Sequence, residues 1–83
     1  MPTIAIVDGV KILMFYNDHT PPHFHAILAN DEALVALGTL DVIRGALPSA
    51  KMRRVMIWAR AHQNELAVNW NKCQDSEMPE RIG

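Results

Sequence analysis

The segment Asp18-His19-Thr20-Pro21-Pro22-His23-Phe24-His25 gathers three of the chain's four histidines and one carboxylate into a short stretch. Imidazoles so placed suit several kinds of chemistry. Three ring nitrogens make a ligand set for a divalent transition metal with one position left open. One ring can instead serve as general acid or base in cleaving a phosphodiester while the others hold the phosphate. Rings can also stack on unpaired bases, or cap a turn and fill a strand face with no chemistry at all. His23 and His25 are two apart, so on a strand they point to one side. His19 precedes them in a loop stiffened by Pro21-Pro22, and a rigid corner lowers the entropy cost of placing its neighbours. Asp18 is close enough to orient a ring by accepting its proton, and Tyr16 stands beside it. The candidate catalytic set is therefore Asp18, His19, His23 and His25, and the candidate metal set is His19, His23 and His25. The spacing matches no His-Glu-x-x-His signature. A bound transition metal and no cofactor at all both remain open at this point.

The elements that must hold this segment can be read from the pattern around it. Thr3–Val7 is β-branched, Asp8-Gly9 is a hairpin signal, and Val10–Tyr16 makes a second strand. After the proline break, His23–Leu28 is a third strand, Asn30-Asp31 a turn, Ala33–Leu37 a fourth strand and Leu40–Ile43 a short fifth. Tight connections make this an antiparallel meander. Pro48 and Ser49 suit a first helical turn, and Met52, Val55, Met56, Ala59, Leu66, Trp70 and Cys73 recur at steps of three and four. The spacing predicts one helix over 48–73 packed on the sheet; a break near His62–Asn64 would reset its phase, but one continuous stripe fits both halves. The fold class expected is α+β in a single domain spanning 1–83. Its sheet half is 1–44, its histidine loop 17–25, and its polar tail 74–83 loosely held. On a continuous helix, Trp58, His62, Glu65 and Asn69 share a polar–aromatic face, and Ile57, Ala61 and Val68 form a separate apolar strip available to a partner.

Composition narrows the classes. Hydrophobic residues are 49% of the chain, too many for disorder, and no apolar run approaches the roughly 20 residues of a membrane span. The opening Met1-Pro2-Thr3-Ile4 lacks the layout of a secretory leader. Cys73 is the single cysteine, which rules out an internal disulfide and a cysteine metal cluster and fits a reducing, cytoplasmic setting. Glycine-rich phosphate loops, Ser-His-Asp arrangements and nucleotide fingerprints are absent. The net charge of -1 is uneven. Residues 1–43 set Lys11 against Asp8, Asp18, Asp31, Glu32 and Asp41. Residues 44–72 set Arg44, Lys51, Arg53, Arg54, Arg60 and Lys72 against Glu65. Such a basic segment serves solubility, an acidic protein partner or a phosphate backbone. A domain this small buries a limited share of its surface, so a partner protein or a second copy forming a homodimer is a natural expectation.

At Tyr16-Asn17-Asp18-His19-Thr20-Pro21-Pro22-His23-Phe24-His25-Ala26 the chain resembles the short bacterial proteins grouped as domain of unknown function 4160. The opening Met1-Pro2-Thr3-Ile4, the run Gly45-x-Leu47-Pro48, and Trp58-x-x-x-His62-x-x-Glu65-Leu66-x-x-Asn69-Trp70 extend the likeness over nearly the whole length. Asp41 and Val42 stand where relatives tend to be more acidic, which puts in doubt any role for acids there. The resemblance implies one gene of a two-gene cassette, proposed as the toxin of a type II toxin–antitoxin pair, and a small antitoxin protein from the adjacent gene as its partner. On that footing the expected function is inhibition of growth by binding or cutting RNA or a ribonucleoprotein such as the ribosome. Asp18, His19, His23 and His25 would carry the chemistry. Tyr16, Arg53, Arg54, Trp58, Arg60, His62, Glu65 and Asn69 would supply binding contacts. The alternative is a non-catalytic or metal-binding interaction module built on the same cluster.

Overall fold

The computed structural model describes residues 3–83; Met1 and Pro2, on which part of the leader expectation and of the family likeness fell, lie outside the described residues. Five strands run in sequence order as an antiparallel sheet: β1 (Thr3–Val7), β2 (Val10–Leu13), β3 (His23–Leu28), β4 (Asp31–Ala36) and β5 (Val42–Gly45). The expected meander is present: β1 and β3 have the expected bounds, and ends of β2, β4 and β5 are moved by one to three residues. Asp8 and Gly9 both take positive φ, 50° and 82°, the geometry a two-residue hairpin of this twist requires. The next hairpin turns at Ala29-Asn30, between the paired Leu28 and Asp31, one residue before the Asn30-Asp31 expected from the sequence. Gly45 has φ +76°, and a Cβ there would run into the Glu32 carbonyl; only glycine fits where β5 leaves the sheet.

Strand parity sorts the sheet into two faces. Ala5, Ile12, Ala26 and Ala33 lie in register across four strands, with Phe24 opposite Val35, and all six are buried. This face is covered by helix α1 (Ser49–Ala61), whose Val55 and Ala59 enter the core. Trp58 meets Phe24 edge-on at 6.2 Å between ring centroids. The other face carries the row Leu13, His25, Leu34 and Arg44, together with His23.

The helical half departs from expectation. There are two helices, not one: α1 ends at Ala61, and α2 (Gln63–Gln74) begins after His62. His62 sits at φ -125°, ψ 24°, and its N–H bonds back to the Ala59 carbonyl at 3.1 Å, the tightened last turn of a helix that is ending. Two tertiary hydrogen bonds anchor the two ends of α2. Gln63 Nε2 donates to the Leu37 carbonyl at 2.9 Å, and the Asn17 N–H donates to the Cys73 carbonyl at 3.3 Å. The reset phase buries Leu66, Asn69, Trp70 and Cys73 and leaves Ile57 and Val68 exposed. The tail is not loose. Asn69 Nδ2 donates to the Glu80 carbonyl and Asn69 Oδ1 accepts from the Glu80 N–H, while the Ile82 N–H donates to the Ile4 carbonyl at 2.8 Å. Pro79 and Ile82 are buried by this docking.

Candidate functional site

β2 stops pairing after Leu13, and the chain then crosses the end of the sheet before returning as β3. Phe15 lies edge-on against His25, with centroids 4.3 Å apart. Asp18 comes next, and its carboxylate meets the first residues of β3. Asp18 Oδ2 lies 3.0 Å from His23 Nε2 and accepts a hydrogen bond from His25 Nε2 at 3.1 Å. The far side of each ring is occupied too: His23 Nδ1 lies 2.8 Å from the Pro21 carbonyl oxygen, and His25 Nδ1 lies 2.9 Å from Glu32 Oε2. The Pro21 oxygen can only accept, so His23 carries a proton on Nδ1. The two rings are 5.1 Å apart, and Trp70 of α2 packs on His23 at 5.4 Å. His23 is buried, whereas His25 keeps a partly open edge.

Burial would push the Asp18 carboxyl upward. The hydrogen bond from His25, the His19 N–H and the charges of His23 and His25 outweigh it, and hold the group below the usual carboxylate range. The backbone bond from His19 to Asp18 Oδ1 is 2.8 Å long.

This arrangement revises the expected site. Asp18, His23 and His25 converge, but His19 does not join them; its side chain is exposed in the loop, and the converging group is Asp18, His23 and His25. His19 instead stands on the rim of a cleft of about 310 Å³ that the three share with Leu34 and Arg44. His62 is elsewhere, its Nδ1 2.6 Å from Glu65 Oε1 and its ring on Trp58. Asn69 is buried and committed to the Glu80 backbone, so it offers nothing to a partner. Trp58 is half-buried against the core, Tyr16 is exposed beside the corner, and Arg53, Arg54 and Arg60 are exposed on α1. Among the described residues none of these three arginines forms an ion pair.

Glu32, Arg44, Trp70 and Phe15 were missed from the sequence. The first two had a signal: with a two-residue turn at 29–30, parity places Glu32 and Leu34 on the face of His25, and Arg44 opposite Leu34. Trp70 had none, because only the break at His62 brings α2 to this corner.

The family model described as Domain of unknown function (DUF4160) matches residues 9–71. The chain belongs to this family. No curated protein and no solved structure matches it. The match to the DUF4160 family takes in Asp18, His23, His25, Glu32 and Arg44 and ends just short of Cys73 and Gln74, which anchor the corner from behind. No helix among the described residues is long and apolar enough to cross a membrane.

Proposed function

We propose that the protein acts through the Asp18–His23–His25 cleft on an anionic substrate, RNA, and that it does so as the growth-inhibiting toxin of a toxin–antitoxin pair neutralised by a small antitoxin protein. The observation that carries the reading is the cleft itself. Two imidazoles and a carboxylate meet in the lining of an opening of about 310 Å³ that Arg44 also lines. A guanidinium over a cluster of proton-carrying rings suits a phosphate group, which it can grip through two parallel hydrogen bonds. The likeness to proposed toxin cassettes supplies the biological setting.

The fold also suggests a division of labour. Arg53, Arg54 and Arg60 lie on α1, which covers the face of Phe24, while His25 and Arg44 look out from the opposite face. The arginines of α1 cannot reach a phosphate held in the cleft, so they suit the antitoxin. Growth on induction of the gene tests the reading. Wild-type protein should arrest growth, and His25→Ala with Arg44→Ala should relieve the arrest while the purified variant keeps its circular dichroism and melting transition. A folded double variant as toxic as wild type would refute it.

A second reading has one specific observation in its favour. A metal-free acid–base pair works best with its two active nitrogens on opposite sides of the scissile phosphate, yet both Nε2 atoms here point at a single oxygen. That convergence favours a metal-binding module.

A further inference from the structure

We propose that Asp18, His23 and His25 form a three-ligand site for one divalent transition cation, with Glu32 and the Pro21 carbonyl as the partners that orient its rings. The inference goes beyond the toxin reading and does not depend on RNA, on growth inhibition or on an antitoxin.

The donor atoms set the geometry. One ligand atom from each of the three residues lies within 4.8 Å of the other two. The nitrogens stand 3.0 and 3.1 Å from the shared Asp18 oxygen. Bonds of about 2.1 Å from a central ion, at angles between a right angle and tetrahedral, put neighbouring donors about 3.0–3.4 Å apart. Each nitrogen is therefore already at ligand spacing from the carboxylate oxygen, and the two nitrogens lie within 4.8 Å of each other.

The far sides of the rings agree. A ligating histidine holds its other N–H against a carbonyl or carboxylate, which fixes the tautomer and raises the basicity of the free nitrogen. His23 makes this bond to the Pro21 carbonyl and His25 makes it to Glu32. Both thereby present Nε2 to the same point. An ion placed between these atoms would take up both Nε2 nitrogens, keep both Nδ1 contacts, and be balanced in charge by Asp18 and Glu32.

The donor set selects the ion. Two imidazole nitrogens and one carboxylate oxygen suit zinc, manganese, iron or cobalt, whereas calcium and magnesium prefer oxygen cages. Three protein ligands on one side leave the remaining positions facing the cleft that Arg44 and His19 border, the open arrangement of sites that take a water or a substrate. His19, expected as the third ligand, is replaced by Asp18.

Calorimetric titration of untagged protein with zinc tests this. The expected result is one cation per chain. Cobalt should give the visible d–d bands of a nitrogen–oxygen site. His25→Ala and Asp18→Ala should each abolish stoichiometric uptake, His19→Ala and His62→Ala should leave it intact, and Glu32→Gln should weaken it by roughly 10–100-fold. Should His25→Ala or Asp18→Ala fail to fold, the cobalt spectrum of wild type and the Glu32→Gln affinity decide the matter. No uptake by folded wild type, uptake that survives in the Asp18→Ala His25→Ala variant, or loss on replacing His19 alone would overturn the site. A protein that binds zinc yet leaves growth unaffected would keep this inference and remove the toxin reading.

Discussion

Asp18 is the residue on which the corner turns, because the His19 N–H and His25 Nε2 hydrogen-bond to it and His23 Nε2 lies 3.0 Å away. Its place was legible because all of these lie within eight positions, and strand parity puts His23 and His25 on one side. What parity cannot give is the path of the residues between, and the loop turns the His19 ring out where the pattern had it joining the others. Cys73 shows burial acting alone: removal from water raises its thiol above the ordinary value. The folded state then resists ionisation that the unfolded chain accepts. The associated stability is complete below the ordinary thiol value and is lost as pH rises through the raised one. Melting curves taken from neutral to alkaline pH should show the gap between wild type and Cys73→Ala narrowing as the solution becomes basic. A thiol reagent at neutral pH should label native protein far more slowly than unfolded protein.

At the scale of elements, the sheet was the readable half. Asp8-Gly9, the diproline and Gly45 are local signals whose causes sit in the residues themselves, and each marks an end of a strand. The helices were harder. Nothing between Arg60 and Asn64 is a glycine or proline, and the apolar spacing runs through the break undisturbed, so the decision to stop at His62 is made by distant partners, Leu37 and Asn17. The tail was misjudged for the same reason. Its polar composition suggested freedom, but Asn69 uses both ends of its amide to hold Glu80 as a neighbouring strand would. Asn69→Ala should lower stability by about 1 kcal/mol, the net cost of losing part-buried hydrogen bonds. It should also free residues 79–83, read as faster amide exchange at Ile82 and as trimming by carboxypeptidase. Unchanged exchange there would show that Pro79 and Ile82 hold the tail unaided.

For the whole molecule, the two faces of one sheet separate two kinds of chemistry. One lies under α1 and its exposed arginines; the other opens on His25 and Arg44. Uneven charge was visible in the sequence, but its assignment to a face needed the register. If the proposed toxin reading holds, reversing the α1 charges with Arg53→Glu, Arg54→Glu and Arg60→Glu should slow association with an acidic antitoxin by roughly 10-fold or more, and leave growth arrest by the unneutralised protein as strong as in wild type. Arrest lost together with antitoxin binding would place both on one surface.

The bracing of the histidine corner has a consequence for anyone cutting the gene. Gln74 Nε2 reaches back across 56 residues to the Asp18 carbonyl, the Cys73 carbonyl holds Asn17, and Trp70 backs His23. A shortened product that stops within α2 would still encode every histidine and carboxylate of the cluster, yet have no wall behind them. The codons of α2 therefore belong to the cluster as much as the motif does, and a frameshift within them should undo the corner as thoroughly as a substitution at Asp18.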